Sequence, residues 1–236
     1  MNNNKHIAFS ILVSATILLA SCGGGKPNYK VSLKTDADSV SYYYGYFTGK
    51  QVAEQGLDGI NTDALAKGWR DALNGVEVKE TMEEVNMFMQ RYFMNLQARI
   101  GEKALKEGQD FLEANKKKQG VVTLPSGLQY KIIKEGTGNK PTEADMVDVV
   151  YHGTLIDGTV FDSAKDRGDT ATFPVNGVVP GFSEALTLMN EGAIWEVYIP
   201  SELGYGENVR PGGPIPANST LIFEIDMVKV VKQAHE

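Results

Sequence analysis

The apolar positions of this chain change their spacing along its length, and the change divides it. From about residue 36 to 118 they recur every three to four residues, the period of a helix face. Ser39 or Asp38 caps a first expected helix that runs to about Glu54, with Tyr43, Tyr44, Gly45, Phe47 and Gly49 at its centre. Gly45 and Gly49 share one face, and each costs roughly 1 kcal/mol relative to Ala in a helix interior. That cost is tolerable where another helix packs closely. Asn61 or Thr62 opens a second helix, which ends near Leu73 before Asn74-Gly75. Thr81 and Glu84 form a capping box for a third. Apolar residues then recur at Val85, Phe88, Met89, Tyr92, Phe93, Leu96 and Ile100, and thin out through Leu105, Phe111 and Leu112 to Lys116-Lys117-Lys118. A helix over 82–118 would be about 55 Å long, too long to be buried in one small domain. Its first half reads as packed. Its second half, with Glu102, Lys103, Lys106, Glu107 and Asp110, reads as solvated.

After a linker at 119–124 the period becomes two, the mark of half-buried strands. Leu128, Tyr130 and Ile132 share one face; so do Val147, Val149 and Tyr151, then Trp195, Val197 and Ile199, then Leu221, Phe223, Ile225 and Met227. Gly181–Leu188 is a short amphipathic helix that such strands can wrap. The Gly-Pro-rich stretch Leu203–Asn218 is long for a strand connection, and loops of that length are usually functional or disordered. The expected fold is therefore α+β: a helical region over 36–118, then a region of strands from 125 onward.

Charge and composition narrow the function. Net charge is −7 over 236 residues. Residues 125–236 hold 8 Lys/Arg against 16 Asp/Glu, while 23–124 hold 14 of each. An acidic C-terminal half argues against a nucleic-acid partner, which needs a basic face to neutralise phosphates. The single cysteine, Cys22, excludes an intrachain disulfide and a thiolate pair for zinc or redox work. His6, His152 and His235 are too scattered for a metal site, and no cofactor loop appears: "GYGENV" lacks the last glycine of a dinucleotide loop, and "GFSEA" lacks the second glycine of a nucleophile elbow.

The first 22 residues are a targeting segment. Lys5 precedes an apolar run, Ile7–Ala20, too short for a permanent membrane span. Its end, Leu19-Ala20-Ser21-Cys22, resembles the bacterial lipoprotein signal, in which the cysteine becomes the acylated first residue. The alternative is an ordinary secretory signal with an incidental cysteine. Residues 23–35 then form a tether that begins with a Gly-Gly-Gly-Lys-Pro-Asn stretch. Asp is absent just after Cys22, where in some lipoproteins it holds them at the inner membrane. The resemblance thus implies a lipid-anchored envelope protein, at the outer membrane and facing the periplasm.

Four strings carry a second resemblance: "VVYHGTLIDGTVFDSA" (Val149–Ala164), "GVVPGFSEAL" (Gly177–Leu186), "IPSELGYG" (Ile199–Gly206) and "STLIFEIDMVKV" (Ser219–Val230). They resemble the FKBP-type peptidyl-prolyl cis-trans isomerases. The resemblance implies an antiparallel half-barrel wrapped on a short helix, with an aromatic pocket of proline size. Carried over by position, the pocket comprises Tyr151, Phe161, Asp162, Val179, Tyr205 and Phe223 as the catalytic set, with Arg167, Val178, Phe182 and Ile215 binding substrate. Phe182 stands where the family most often has tryptophan, and Ala171 sits near the place of another pocket aromatic.

The Ser41–Gly49 segment, "GWRDALNG" (Gly68–Gly75) and the long third helix resemble the dimerisation domain of the macrophage infectivity potentiator class of the same family. They imply a homodimer; a monomer with a three-helix cap is the alternative. The implied partners are proline-containing unfolded or nascent exported proteins. The competing reading is a dimeric chaperone that holds clients with little turnover. Rotation of a prolyl bond moves no proton, so Asp162 is expected to pair with Arg167 and Tyr151 rather than to act as a base. His152, next to Tyr151 in a strand, points to the opposite face.

Overall fold

A computed structural model describes residues 31–232 apart from 55, 58 and 211. The expected signal segment with Cys22, and most of the tether, lie outside the described residues. The chain falls into two compact units divided after Gly49.

Helix α1 (Asp36–Glu54) begins before the expected cap. Thr35 is the capping residue. Its Oγ1 accepts from the Asp38 N–H at 3.1 Å, and Asp38 Oδ2 accepts from the Thr35 N–H at 3.0 Å, a reciprocal box in which Asp38 lies inside the helix. Tyr42, Tyr43, Tyr44, Tyr46 and Phe47 are exposed. An added Cβ on Gly45 or Gly49 would meet nothing within 4 Å.

Helix α2 (Thr62–Leu73) starts where Asn61 Oδ1 accepts from the N–H groups of Asp63 and Ala64, both at 3.0 Å. Helix α3 (Met82–Asn115) starts at the expected Thr81–Glu84 box. Each half meets the expectation in part: Val85, Phe93, Leu96 and Ile100 of the stripe are buried or half-buried, and Glu102, Lys103, Lys106, Glu107 and Asp110 are exposed. Met82, Met87, Phe88, Tyr92 and Met94 of the first half are exposed. The second half lies against protein, with Gly101, Gly108 and Asn115 buried at seven-residue spacing, which keeps them on one side. The charged residues occupy its other side. The glycines hid this face from a count of apolar side chains.

Among the described residues seven strands form one antiparallel sheet in the order β1-β2-β6-β7-β3-β4, with β5 also paired to β3. Strand β1 is Val121–Thr123, β2 Gln129–Lys134, β3 Met146–Leu155, β4 Val160–Ser163, β5 Ala171–Pro174, β6 Ile194–Ile199 and β7 Leu221–Val231. The segment 119–124, expected as a linker, thus contributes a strand: Val121, Val122 and Thr123 pair with Lys131, Tyr130 and Gln129. Strand β7 is central, paired with β6 on one side and β3 on the other. The free edge of β3 is shared, Met146–Val149 pairing with β5 and His152–Thr154 with β4.

Alternation places Val147, Val149, Tyr151, Val197, Ile199, Leu221, Phe223, Ile225 and Met227 on the core face. Helix α5 (Pro180–Leu188) covers it through Phe182, Ala185 and Leu186. Burying each large aliphatic side chain contributes about 1.5–3 kcal/mol. The second half of α3 packs on the reverse face, where Phe111 meets Tyr198 at 5.9 Å between ring centroids. There the buried Asn115 donates to Gln129 Oε1 at 3.0 Å, and Gln129 Nε2 donates to the Leu112 carbonyl at 3.0 Å. Strand β2 is consequently covered on both faces at its start, while Ile132 at its far end is exposed. A short helix α4 (Ala164–Arg167) follows β4, and single helical turns at Val175–Gly177 and Ser201–Leu203 precede α5 and follow β6.

Candidate active site

The core face opens at one end into a cleft of about 470 Å³, within the range of small-molecule sites. Tyr151, Phe161, Asp162, Val178, Val179, Phe182, Tyr205 and Phe223 line it, so eight of the residues singled out from the sequence converge. Phe223 is the hub. Phe182 meets its ring at 4.9 Å and 83°, Phe161 at 5.4 Å and 87°, and Tyr151 at 6.2 Å and 63°. These are edge-to-face contacts, the arrangement favoured by the ring quadrupole. Gly153 makes them possible, because a Cβ there would come within 2.9 Å of both Phe161 and Phe223. Phe182, on α5, is buried beneath them and forms the floor.

Asp162 stands at the rim. Tyr151 donates its hydroxyl to Asp162 Oδ2 at 2.5 Å, and Arg167 Nη1 donates to Asp162 Oδ1 at 2.7 Å. Local structure aims the guanidinium. Ser163 Oγ accepts from the Asp166 N–H at 2.9 Å to start α4, and Gly168 ends it in the left-handed conformation at φ 67°. Partial burial works against charge on Asp162, but the hydrogen bonds from Tyr151 and Arg167, with the guanidinium charge, outweigh it and hold the carboxyl below its ordinary range. Burial, then the bond to Asp162, pushes the Tyr151 hydroxyl up. The bond to Asp162 raises Arg167 further. Aspartate is therefore the acceptor and tyrosine the donor throughout the physiological range.

Two further donors face the cleft. Val179 precedes α5, where Pro180 takes the first helical position, and its N–H donates to no group among the described residues. Tyr205 is 44% exposed, and its hydroxyl has no partner among the described residues. Arg167 bonds to Asp162 without itself lining the cleft, and Ile215 is half-buried against the core. Phe173 and Gly177 line the cleft and were not expected. Phe173 follows Ala171 by two in β5, so it shares that residue's face, and its ring reaches Tyr151 at 5.9 Å. The aromatic looked for near Ala171 is thus present one alternation later. His152 points away from the cleft, with Nδ1 2.9 Å from Ser163 Oγ. Among the described residues no cluster of three His, Cys, Asp or Glu side chains is placed to hold a metal.

Comparison with known proteins agrees with this geometry. The family model for FKBP-type peptidyl-prolyl cis-trans isomerase matches residues 137–228. A second, for the domain amino terminal to FKBP-type peptidyl-prolyl isomerase, matches 37–132. The outer membrane protein MIP of Legionella longbeachae is 46% identical over 231 residues, covering 94% of this chain and 98% of that one. The FKBP-type 22 kDa peptidyl-prolyl cis-trans isomerase of Escherichia coli K12 is 43% identical over 203 residues, covering 81% and 94%. Among solved structures, the crystal structure of FkpA from Escherichia coli superposes with a TM-score of 0.60 at 33% identity, covering 85% of this chain and 99% of that one. The chain belongs to the FKBP-type peptidyl-prolyl cis-trans isomerases.

The rim charges set a pH expectation. Because folding lowers the Asp162 pKa, the pair's contribution to stability is present above the ordinary carboxylate value and is lost as pH falls through and below 3.8. Asp162→Asn should remove that acid-side dependence in urea unfolding measured from pH 6 down to 3. An unchanged slope would show that Asp162 does not carry it.

Proposed function

We infer that this peptidyl-prolyl cis-trans isomerase accelerates X-Pro rotation by binding the twisted amide in a dry cleft, without a covalent or acid/base step. The edge-on cluster of Phe161, Phe182, Phe223 and Tyr151 around the cleft carries this reading. Amide resonance sets a barrier of ~18–20 kcal/mol to rotation. At the twisted state that resonance is lost and the amide dipole falls, so an apolar wall favours it over the planar state. The Val179 N–H and the Tyr205 hydroxyl hold substrate carbonyls, each contributing roughly 1–3 kcal/mol. Asp162, fixed by Tyr151 and Arg167, acts by its field and not by proton transfer. Val178 and Phe182 seat the prolyl ring. Arg167, through Asp162, and Ile215, at the edge of the core, complete the substrate-binding set.

Tyr205→Phe should lower the specificity constant about fivefold, the effect of about 1 kcal/mol. Phe223→Ala or Phe161→Ala admits water and should cost about a hundredfold, ~2.7 kcal/mol. Asp162→Leu should fall between, with a rate profile that stays flat around neutral pH. A new or vanished titration near neutrality in X-Pro exchange of short peptides would refute the absence of proton transfer.

The exposed apolar residues of α1 and the first half of α3 support a homodimer through 36–100 as part of a dimerisation domain over 36–118. Phe47 and Phe88, both more than half exposed, and the open glycine face of Gly45 and Gly49 are the features a second copy covers. The same surface favours, as a second reading, holding of unfolded clients. Light scattering at micromolar concentration should give twice the mass of one chain, and Phe47→Glu with Phe88→Glu should halve it. A wild-type monomer would overturn the dimer. Wild-type protein that suppresses aggregation yet lacks X-Pro exchange would favour the chaperone.

The Leu-Ala-Ser-Cys ending supports acylation at Cys22 and an envelope location at the outer membrane, facing the periplasm, where clients are exported proline-containing chains. The name of the Legionella longbeachae relative is consistent with that location. Cys22→Ser should leave the protein unprocessed or free of membranes on fractionation. An unchanged mature mass and membrane location would exclude the anchor.

A further inference from the structure

The buried face of the second half of α3 lies against the segment that leads into β7. A Cβ added to Gly101 would stand 3.3 Å from Ala217 Cβ. One added to Gly108 would run into Thr220 Oγ1 and stand 3.2 Å from Thr220 Cβ. The helix backbone therefore approaches residues 217–220 as closely as glycine permits. Two glycines inside a helix cost about 1 kcal/mol each relative to Ala, so the close seat offsets a real loss of helix stability.

From that seat a short path of bonds reaches the cleft. Asn218 is the one non-glycine residue with positive φ among the described residues, at 60°, a conformation asparagine tolerates. Held so, its N–H donates to the Gly206 carbonyl at 2.7 Å. Gly206 in turn donates to the Ser201 carbonyl at 3.0 Å, and the Tyr205 carbonyl accepts from the Asn208 N–H at 3.0 Å. The turn bearing Tyr205 is thus tied on one side to Ser201 and on the other to Asn218. The described residues of 204–220 contain no strand, so among them no ladder of hydrogen bonds fixes this loop. Besides these bonds, Ile215 packs against the hydrophobic core, and Ala217 and Thr220 face Gly101 and Gly108 of α3.

We propose that the second half of α3 is a positioning strut for the substrate cleft, with Gly101 and Gly108 as positioning residues that set the Tyr205 hydroxyl through Asn218 and Gly206. This rests on the role assigned to Tyr205 above. It differs from a plain packing role because disturbing the seat changes catalysis through one hydroxyl, and only through it.

Gly108→Ala in the full chain tests it. The amide resonances of Gly206 and Asn218 should move, and the specificity constant on an X-Pro peptide should fall about fivefold, the loss of one orienting hydrogen bond. Adding Thr220→Ala removes the hydroxyl that the new methyl meets, and should return both the resonances and the rate toward wild type. In a Tyr205→Phe background, Gly108→Ala should cause no further loss. Glu107→Ala, on the exposed side of α3, should change neither readout. Unmoved Gly206 and Asn218 resonances in folded Gly108→Ala protein would overturn the proposal, as would an undiminished loss in the Tyr205→Phe background. Should Gly108→Ala fail to fold, Gly101→Ala, with its milder contact, is read by the same outcomes. A Tyr205→Phe variant as fast as wild type removes the role given to Tyr205 and with it the catalytic half of the proposal. The amide resonances then decide the mechanical half, moved ones supporting the strut and unmoved ones overturning it.

Discussion

The edge-on packing of three aromatic rings around Phe223 is the contact on which the core and the cleft both depend. Phe223 sits in the central strand, between β6 and β3, so its backbone is held by ladders on both sides. Its ring packs against Phe182 of the covering helix and against Phe161 at the cleft wall. Aromatic pairs of this geometry contribute about 0.5–1.5 kcal/mol beyond the area they bury. The cleft is therefore the open end of the hydrophobic core rather than a groove on its surface. A wall built this way is already in place when substrate arrives, and ordering it costs nothing at that moment.

A charged carboxylate beside such a wall needs an explanation. Asp162 is held by one hydroxyl and one guanidinium, both donating to it, which keeps it ionised despite partial burial. Tyr151 connects the two environments, since its ring belongs to the aromatic cluster and its oxygen to the polar rim. A group with its proton inventory so firmly set is poorly suited to shuttling protons and well suited to presenting a fixed field. That suits a reaction in which the charge distribution of an amide changes while no proton is exchanged.

The strand half was legible because its burial is local and periodic. Val147, Val149 and Tyr151, or Leu221 through Met227, announce their face by alternation alone. The cleft residues were legible through motif order, which carries information that periodicity does not. Phe173 was not legible because Ala171 occupies the expected position, and the aromatic stands one alternation further along β5. The start of α1 was displaced because Asp38 suits two roles, a cap and the third residue of a capping box, and only the Thr35 hydroxyl distinguishes them. The largest difference concerned α3. An apolar stripe reports that a face seeks cover, but it does not say which chain supplies it. A glycine seam reports close packing, yet it adds nothing to a count of hydrophobic side chains.

Those two kinds of face occupy successive halves of the same helix, and they bind by different physics. The methionine and aromatic side chains of the first half offer area that many apolar surfaces can cover, with modest demands on geometry. The Gly101–Gly108–Asn115 face of the second half offers little area, but its backbone approach and the buried Asn115–Gln129 pair accept one geometry only. Loss of that geometry strands buried polar groups, a cost of about 1–3 kcal/mol for each, so the second half stays registered on the sheet. Because α3 is a continuous run of 34 residues, its first half inherits a direction fixed by the second. The exposed half therefore extends along a line that packing on the sheet sets.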